Sequence, residues 1–172
     1  MTATRDRLLD AFEELLVVGG SRAATLDAVA ARAEVSKGGL LYHFPSKDDL
    51  VTAMLDRLRE QGKADVAAMR TAPEGPVDFY LKTSTDTGSA FDRALIAAAR
   101  IAQECDDRGR DALADLREGW FLVLAEHLGD NALARTVQLI GDGFYFDDTT
   151  GLAHPSSLEH VRTVLRRLGA LD

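Results

Sequence analysis

Cysteine occurs once in the 172 residues, at Cys105, so no internal disulfide can form, and the chain suits a reducing compartment. A lone cysteine on an apolar helix face is read as packing rather than as a redox sensor. Proline is scarce too. All four, Pro45, Pro73, Pro76 and Pro155, fall at breaks between periodic stretches. No long apolar run exists: stretches such as Phe121–Ala125 are far shorter than the roughly 20 residues of a membrane span. The opening residues lack the apolar core of a signal peptide, so the chain is expected to be cytoplasmic and to have no membrane partner. Also missing are a Gly-rich phosphate loop, a Gly-x-Ser-x-Gly elbow and a nucleophile–base pair, and no enzymatic role is expected. His154, Glu159 and His160, with Asp147 and Asp148 nearby, match no standard zinc spacing, so neither a metal nor another cofactor is expected.

Positive charge is in deficit, but unevenly. Residues 1–63 hold 9 basic and 10 acidic side chains, a net of −1, whereas residues 64–172 hold 11 and 18, a net of −7. An acidic chain does not coat nucleic acid non-specifically. A duplex feels charge only within about 8–10 Å, so any nucleic-acid surface belongs in the N-terminal third.

What the chain does contain is helical periodicity almost throughout, with no convincing alternating β-branched run. Leu8, Leu9, Phe12, Leu15 and Leu16 form one stripe, ended at Gly19-Gly20. Leu26, Val29, Ala30 and Ala33 form a second, opened by Thr25. A third short helix starts at Ser36 and stops near Phe44, ahead of Pro45. Ser46 and Asp49 then form a capping box for a fourth that can run to about Met69. Beyond the break at 71–76, helices are predicted at about 77–84, 89–105, 109–128, 131–148 and 156–169. The expectation is an all-α chain of about nine helices. Residues 1–47 form one domain, 46–70 a linking helix, and 71–172 a helical bundle.

Residues 25–47, TLDAVAARAEVSKGGLLYHFPSK, carry the functional signal. Two two-turn helices flank a tight turn, with Ala30 and Ala33 small enough for a close crossing and Val35 placed to fill the wedge. This is a helix-turn-helix, whose second helix enters a major groove about 12 Å wide. Thr25, Ala30, Ala33, Val35-Ser36-Lys37-Gly38, Tyr42-His43-Phe44 and Lys47 together resemble the DNA-binding domain of the TetR family of bacterial transcriptional repressors, over about residues 5–55. Two positions depart from the pattern. Glu34 stands where the family often has Gly, and Glu in a left-handed conformation costs about 1 kcal/mol more than Gly, which gives the turn reason to adopt another geometry. Leu41 stands where Tyr or Phe is usual, leaving Tyr42 to supply the phosphate contact.

The resemblance implies a DNA-contact set of Thr25, Ser36, Lys37, Gly38, Gly39, Leu41, Tyr42, His43 and Lys47. Lys37 suits guanine O6/N7 or a phosphate, and Thr25 and Lys47 suit phosphates at helix N-termini. Gly38-Gly39 allows close approach to DNA or merely a loose first turn. The resemblance further implies a homodimer on a palindromic double-stranded operator, released by a small-molecule inducer. The bundle offers Phe79, Tyr80, Phe91, Trp120 and Phe121, with Arg100, Gln103 and Arg117 as polar anchors, for an inducer pocket. Leu133, Val137, Ile140 and Phe144, with Leu158, Val161, Leu165 and Leu168, make narrow stripes for a dimer interface, or else close their own bundle. The competing reading is a helical protein-binding adaptor with a vestigial DNA-binding head.

Overall fold

In a computed structural model, residues 2–104 and 106–171 are described; Cys105 lies outside them. The described residues form nine α-helices and no strand: α1 Thr2–Ala23, α2 Leu26–Arg32, α3 Lys37–His43, α4 Lys47–Arg70, α5 Pro76–Thr83, α6 Ala90–Gln103, α7 Asp107–Leu128, α8 Asn131–Thr150 and α9 Ser157–Arg167. The all-helical expectation holds, and α2, α3 and α4 start at the caps predicted for them, while α5 and α6 start at local chemistry of the same kind. Thr25 Oγ1 accepts from the Ala28 amide, and Ser36 Oγ from that of Gly39. Ser46 and Asp49 bond reciprocally ahead of α4, and Ser89 and Asp92 do so ahead of α6. Pro76 takes the first position of α5, where its missing N–H costs nothing. In α1 the helix breaks at Gly20, where φ is 65°, as the glycine pair predicts, and one further turn follows.

The described chain divides into two compact units. One comprises residues 1–61 and 89–115; its core holds Leu8, Leu9, Phe12 and Leu16 of α1, Val29 of α2, Leu40 of α3, and Leu50, Met54, Leu55 and Leu58 of α4. Helix α1 lies along α6, whose Ala94, Ala97 and Ala98 are buried and small enough for close packing. Glu13 of α1, only 1% exposed, is held by Arg57 at 2.6 Å and Arg93 at 3.5 Å, while both arginines also pair with Asp10. Burial outweighs the two guanidinium groups and pushes the Glu13 carboxyl above its ordinary range.

The other unit comprises residues 62–88 and 116–172, and the proline-bearing segment 71–76 lies inside it. Its core is Met69, Val77, Tyr80, Leu81, Val123, Leu124, Ala134, Val137, Phe144 and Leu165. Gly141 lets α8 approach α5, since a Cβ there would collide with Tyr80 Cε1. Arg162 of α9 grips Asp78 of α5 through two hydrogen bonds of 2.6 and 2.8 Å.

Candidate nucleic-acid interface

The sequence from Thr25 to Phe44 builds a rigid presentation of α3. The turn closes when the Val35 amide donates to the Ala30 carbonyl at 2.9 Å and the Glu34 amide to that of Ala31 at 3.2 Å. Glu34 sits at φ 54°, and among the described residues no other non-glycine has a positive φ. The alternative turn geometry anticipated from its side chain is therefore not taken. The backbone keeps the left-handed turn and bears a cost of about 1 kcal/mol. Leu40 and Phe44, one helical turn apart, are buried beneath α3, and Arg5 stacks its guanidinium on the Phe44 ring at 5.1 Å. With that face fixed inward, Lys37, Gly38, Leu41 and Tyr42 form the outward one.

Tyr42 is 74% exposed, and its ring meets that of half-buried His43 edge-on at 5.2 Å. Lys37 projects outward but is not free. Its ammonium pairs with Asp27 of α2 at 2.9 Å. Lys47 is half-buried and donates to both the carbonyl and the hydroxyl of Ser21 at 2.5 Å, which ties the start of α4 to the end of α1. Neither partner was anticipated: each pairing joins residues 10 and 26 positions apart, beyond the reach of helical periodicity. The two adjacent glycines differ. A Cβ on Gly39 would meet Val35 Cγ1 at 2.9 Å and Ser36 Oγ at 3.2 Å, whereas one on Gly38 would point into open space. Gly39 thus has a reason inside the turn, and Gly38 has none there.

The residues named for a ligand pocket divide between the two units. Phe91, Arg100 and Gln103 lie in the first, where Arg100 and Gln103 are exposed and bond to one another at 3.5 Å. Phe79, Tyr80, Arg117, Trp120 and Phe121 lie in the second. There Tyr80 and Trp120 pack ring to ring at 5.5 Å, and the Trp120 indole donates to Asp65 at 2.7 Å. Tyr80 donates to Asp142 at 3.3 Å, and Arg117 pairs with the same carboxylate at 2.6 Å. Burial, then the Asp142 charge, pushes the Tyr80 hydroxyl far above the ordinary phenol range, so it stays protonated.

Of the residues named for a dimer interface, Val137, Phe144 and Leu165 are buried in the core of their own unit. Leu133, Ile140, Leu158 and Val161 are partly buried against it. Leu168 remains outward, at 59% exposure. A 3.6-residue stripe marks an apolar face but not what covers it, so these stripes predicted burial without distinguishing the core from a partner. The large apolar side chains that α8 and α9 leave in solvent are instead Leu139, Phe146, Val164 and Leu168. Among the described residues no group of three or more His, Cys, Asp or Glu side chains could hold a metal ion, and no helix is long and apolar enough to cross a membrane.

Residues 8–54 match the family model described as "Bacterial regulatory proteins, tetR family". The HTH-type transcriptional repressor KstR of Mycobacterium tuberculosis is 39% identical over 75 residues, 44% of this chain and 33% of its own length. The chain spans between about a quarter and a half of the length of such curated relatives. Among solved structures, multidrug binding protein EbrR complexed with malachite green is 25% identical, with a TM-score of 0.68 over 98% of both chains. A putative transcriptional regulator from Saccharomonospora viridis in complex with choline is 21% identical, with a TM-score of 0.70 over 97% of this chain and 95% of that one.

Proposed function

Starting from the match of residues 8–54 to the tetR family of bacterial regulatory proteins, we propose that the protein is a ligand-responsive transcriptional repressor. As a homodimer it places two copies of α3 in successive major grooves of a palindromic operator. The observation that carries this reading is the two-faced α3. Leu40 and Phe44 anchor it from below, and the capped, closed turn at Glu34-Val35 fixes its angle. Lys37, Gly38, Leu41 and Tyr42 are thereby left facing outward.

Residues 1–47 act as the DNA-binding head, and residues 71–172 bind ligand and dimerise. Pairing draws on the apolar side chains that α8 and α9 leave in solvent, Leu139, Phe146, Val164 and Leu168, because exposed apolar groups gain most by being covered. Ligand binding is supported by the small organic molecules held by the two structural neighbours. Release follows from linkage: a ligand that favours the DNA-free state weakens operator binding by the same factor that the operator weakens ligand binding.

The test is footprinting of purified protein on fragments of its own genome, followed by binding to the protected duplex across a salt series. Protection of a two-fold-symmetric site is expected, with affinity falling linearly in log–log form as salt rises, because phosphate contacts release counterions. Absence of salt-dependent binding to any fragment overturns the regulator reading. Sedimentation tests the dimer. A monomer at micromolar concentration, or a dimer indifferent to Phe146→Glu, removes the proposed interface.

A further inference from the structure

Resting on that regulator reading, and naming the ligand class it leaves open, we infer that the hollow beside the C-terminal end of α8 binds a small organic cation bearing an apolar group. The hollow measures about 300 Å³, at the small end of ligand sites, and is lined by residues that include Thr85, Phe144, Asp147, Asp148, His154 and Leu158. Every one of these belongs to the unit formed by residues 62–88 and 116–172. Its floor is apolar, with Phe144 only 8% exposed and Leu158 packed against the same core.

Its wall is negative in a way the fold itself does not balance. Asp147 and Asp148 lie in the last turns of α8, where the helix dipole already presents its negative end, and the last turn carries no basic side chain. Among the ion pairs of the described residues neither carboxylate has a cation partner; Asp148 accepts a hydrogen bond from the Thr87 hydroxyl. Two neighbouring carboxylates at the wrong end of a helix oppose the folded state. A cation entering the hollow relieves that opposition and finds the Phe144 ring beside it. The imidazole of His154 is held at the rim by the Ser156 hydroxyl at 2.9 Å.

Other chemistries fit less well. An anion meets the two carboxylates, and a bare metal ion lacks a third ligand. Tyr80 and Trp120, named from the sequence for an aromatic pocket, pack ring to ring at 5.5 Å and carry their own carboxylate partners, Asp142 and Asp65.

The experiment is calorimetric titration of the full chain with benzyltrimethylammonium, with benzyl alcohol as the neutral comparator and zinc chloride as the metal comparator. The organic cation is expected to bind saturably. Asp147→Asn should weaken it at least tenfold while raising the melting temperature of the free protein, because it removes a charge from the negative helix end. A purely structural Asp147 would instead lower that temperature. Phe144→Leu should also weaken the cation. The inference is overturned by absence of saturable binding at millimolar cation, by equal affinity in Asp147→Asn, by benzyl alcohol binding as tightly, or by zinc displacing the cation. Operator binding is read on the same preparations. Cation binding of the expected pattern without any DNA binding removes the regulator reading and leaves the site standing. DNA binding without cation binding removes the site alone.

Discussion

The two adjacent glycines of α3 offer a perturbation whose sign differs at neighbouring positions. Gly38→Ala adds a methyl group where nothing lies within 4 Å, so the fold gains helix propensity without a clash. That gain is at most about 1 kcal/mol, smaller in a first turn than in a helix interior. For a chain of this length about 1 kcal/mol corresponds to roughly 2–4 °C in melting temperature. Gly39→Ala receives the same propensity gain but drives its methyl to 2.9 Å from Val35 Cγ1 and 3.2 Å from Ser36 Oγ, against the turn and its cap. Overpacking of that kind costs about 1–3 kcal/mol, so its melting temperature should fall. DNA binding then separates the two explanations of Gly38. If α3 approaches the duplex closely across its Lys37, Gly38 and Tyr42 face, the more stable Gly38→Ala protein should bind operator at least tenfold more weakly, about 1.4 kcal/mol. Thermal melts and fluorescence-anisotropy titrations measure both quantities. A Gly38→Ala protein that melts lower refutes the account of open space. One that melts higher and binds operator with unchanged affinity refutes close approach and leaves Gly38 as a loose first turn.

Further expectations concern other named contacts. Asp27→Asn frees the Lys37 ammonium from its 2.9 Å partner and should strengthen operator binding and steepen its salt dependence; unchanged binding would mean that Lys37 makes no DNA contact. Glu34→Gly relieves the residue at φ 54° and should raise stability by up to about 1 kcal/mol in denaturant melts; a loss would show that the Glu34 side chain contributes more than its backbone costs. Arg162→Ala breaks the paired bonds to Asp78 and should cost about 1.5–3 kcal/mol, with Arg162→Lys recovering only part because an ammonium cannot bond in the same bidentate way. Asp106 is held below its ordinary pKa chiefly by the Arg108 hydrogen bond. Its contribution is therefore full above the unfolded value of 3.8 and is lost as pH falls through the lower folded one. Asp106→Asn should flatten the acid limb of the stability profile below about pH 4, and an unaltered limb would refute the pairing.

Local chemistry made the helices legible. Caps at Thr25, Ser36, Ser46 and Ser89, the glycine break at Gly20 and Pro76 at a helix start are decided within a few residues, and sequence displays them directly. Helix α3 was legible for the same reason: Ser36 caps it, Pro45 follows it, and Leu40 and Phe44 at a spacing of four set its inward face. What escaped was decided over longer distances. The Lys37–Asp27 and Lys47–Ser21 pairs join separate helices, and nothing in a period of 3.6 residues announces them. Glu34 was weighed by its intrinsic preference alone, whereas the closed turn around it overrides that preference. The stripes on α8 and α9 suited either a partner or their own bundle, a choice that a 3.6-residue period does not make, and Val137 and Leu165 are buried within their own unit.

The group of buried Glu13 with half-buried Arg57 and Arg93 bears on how this sequence can drift. Removing either arginine leaves a carboxylate that is 1% exposed short of a counter-charge. Removing Glu13 leaves two guanidinium groups sharing the single carboxylate of half-buried Asp10. Breaking a buried ion pair from one side costs about 3–5 kcal/mol, whereas exchanging the whole set for apolar side chains of similar volume is often neutral or better. A domain with only about 5–15 kcal/mol in hand does not readily survive the intermediate steps. The three positions therefore change together or not at all: descendants of this chain should keep the full trio or have lost every member, and single replacements should persist only beside a compensating change at Asp10 or elsewhere in contact with the group.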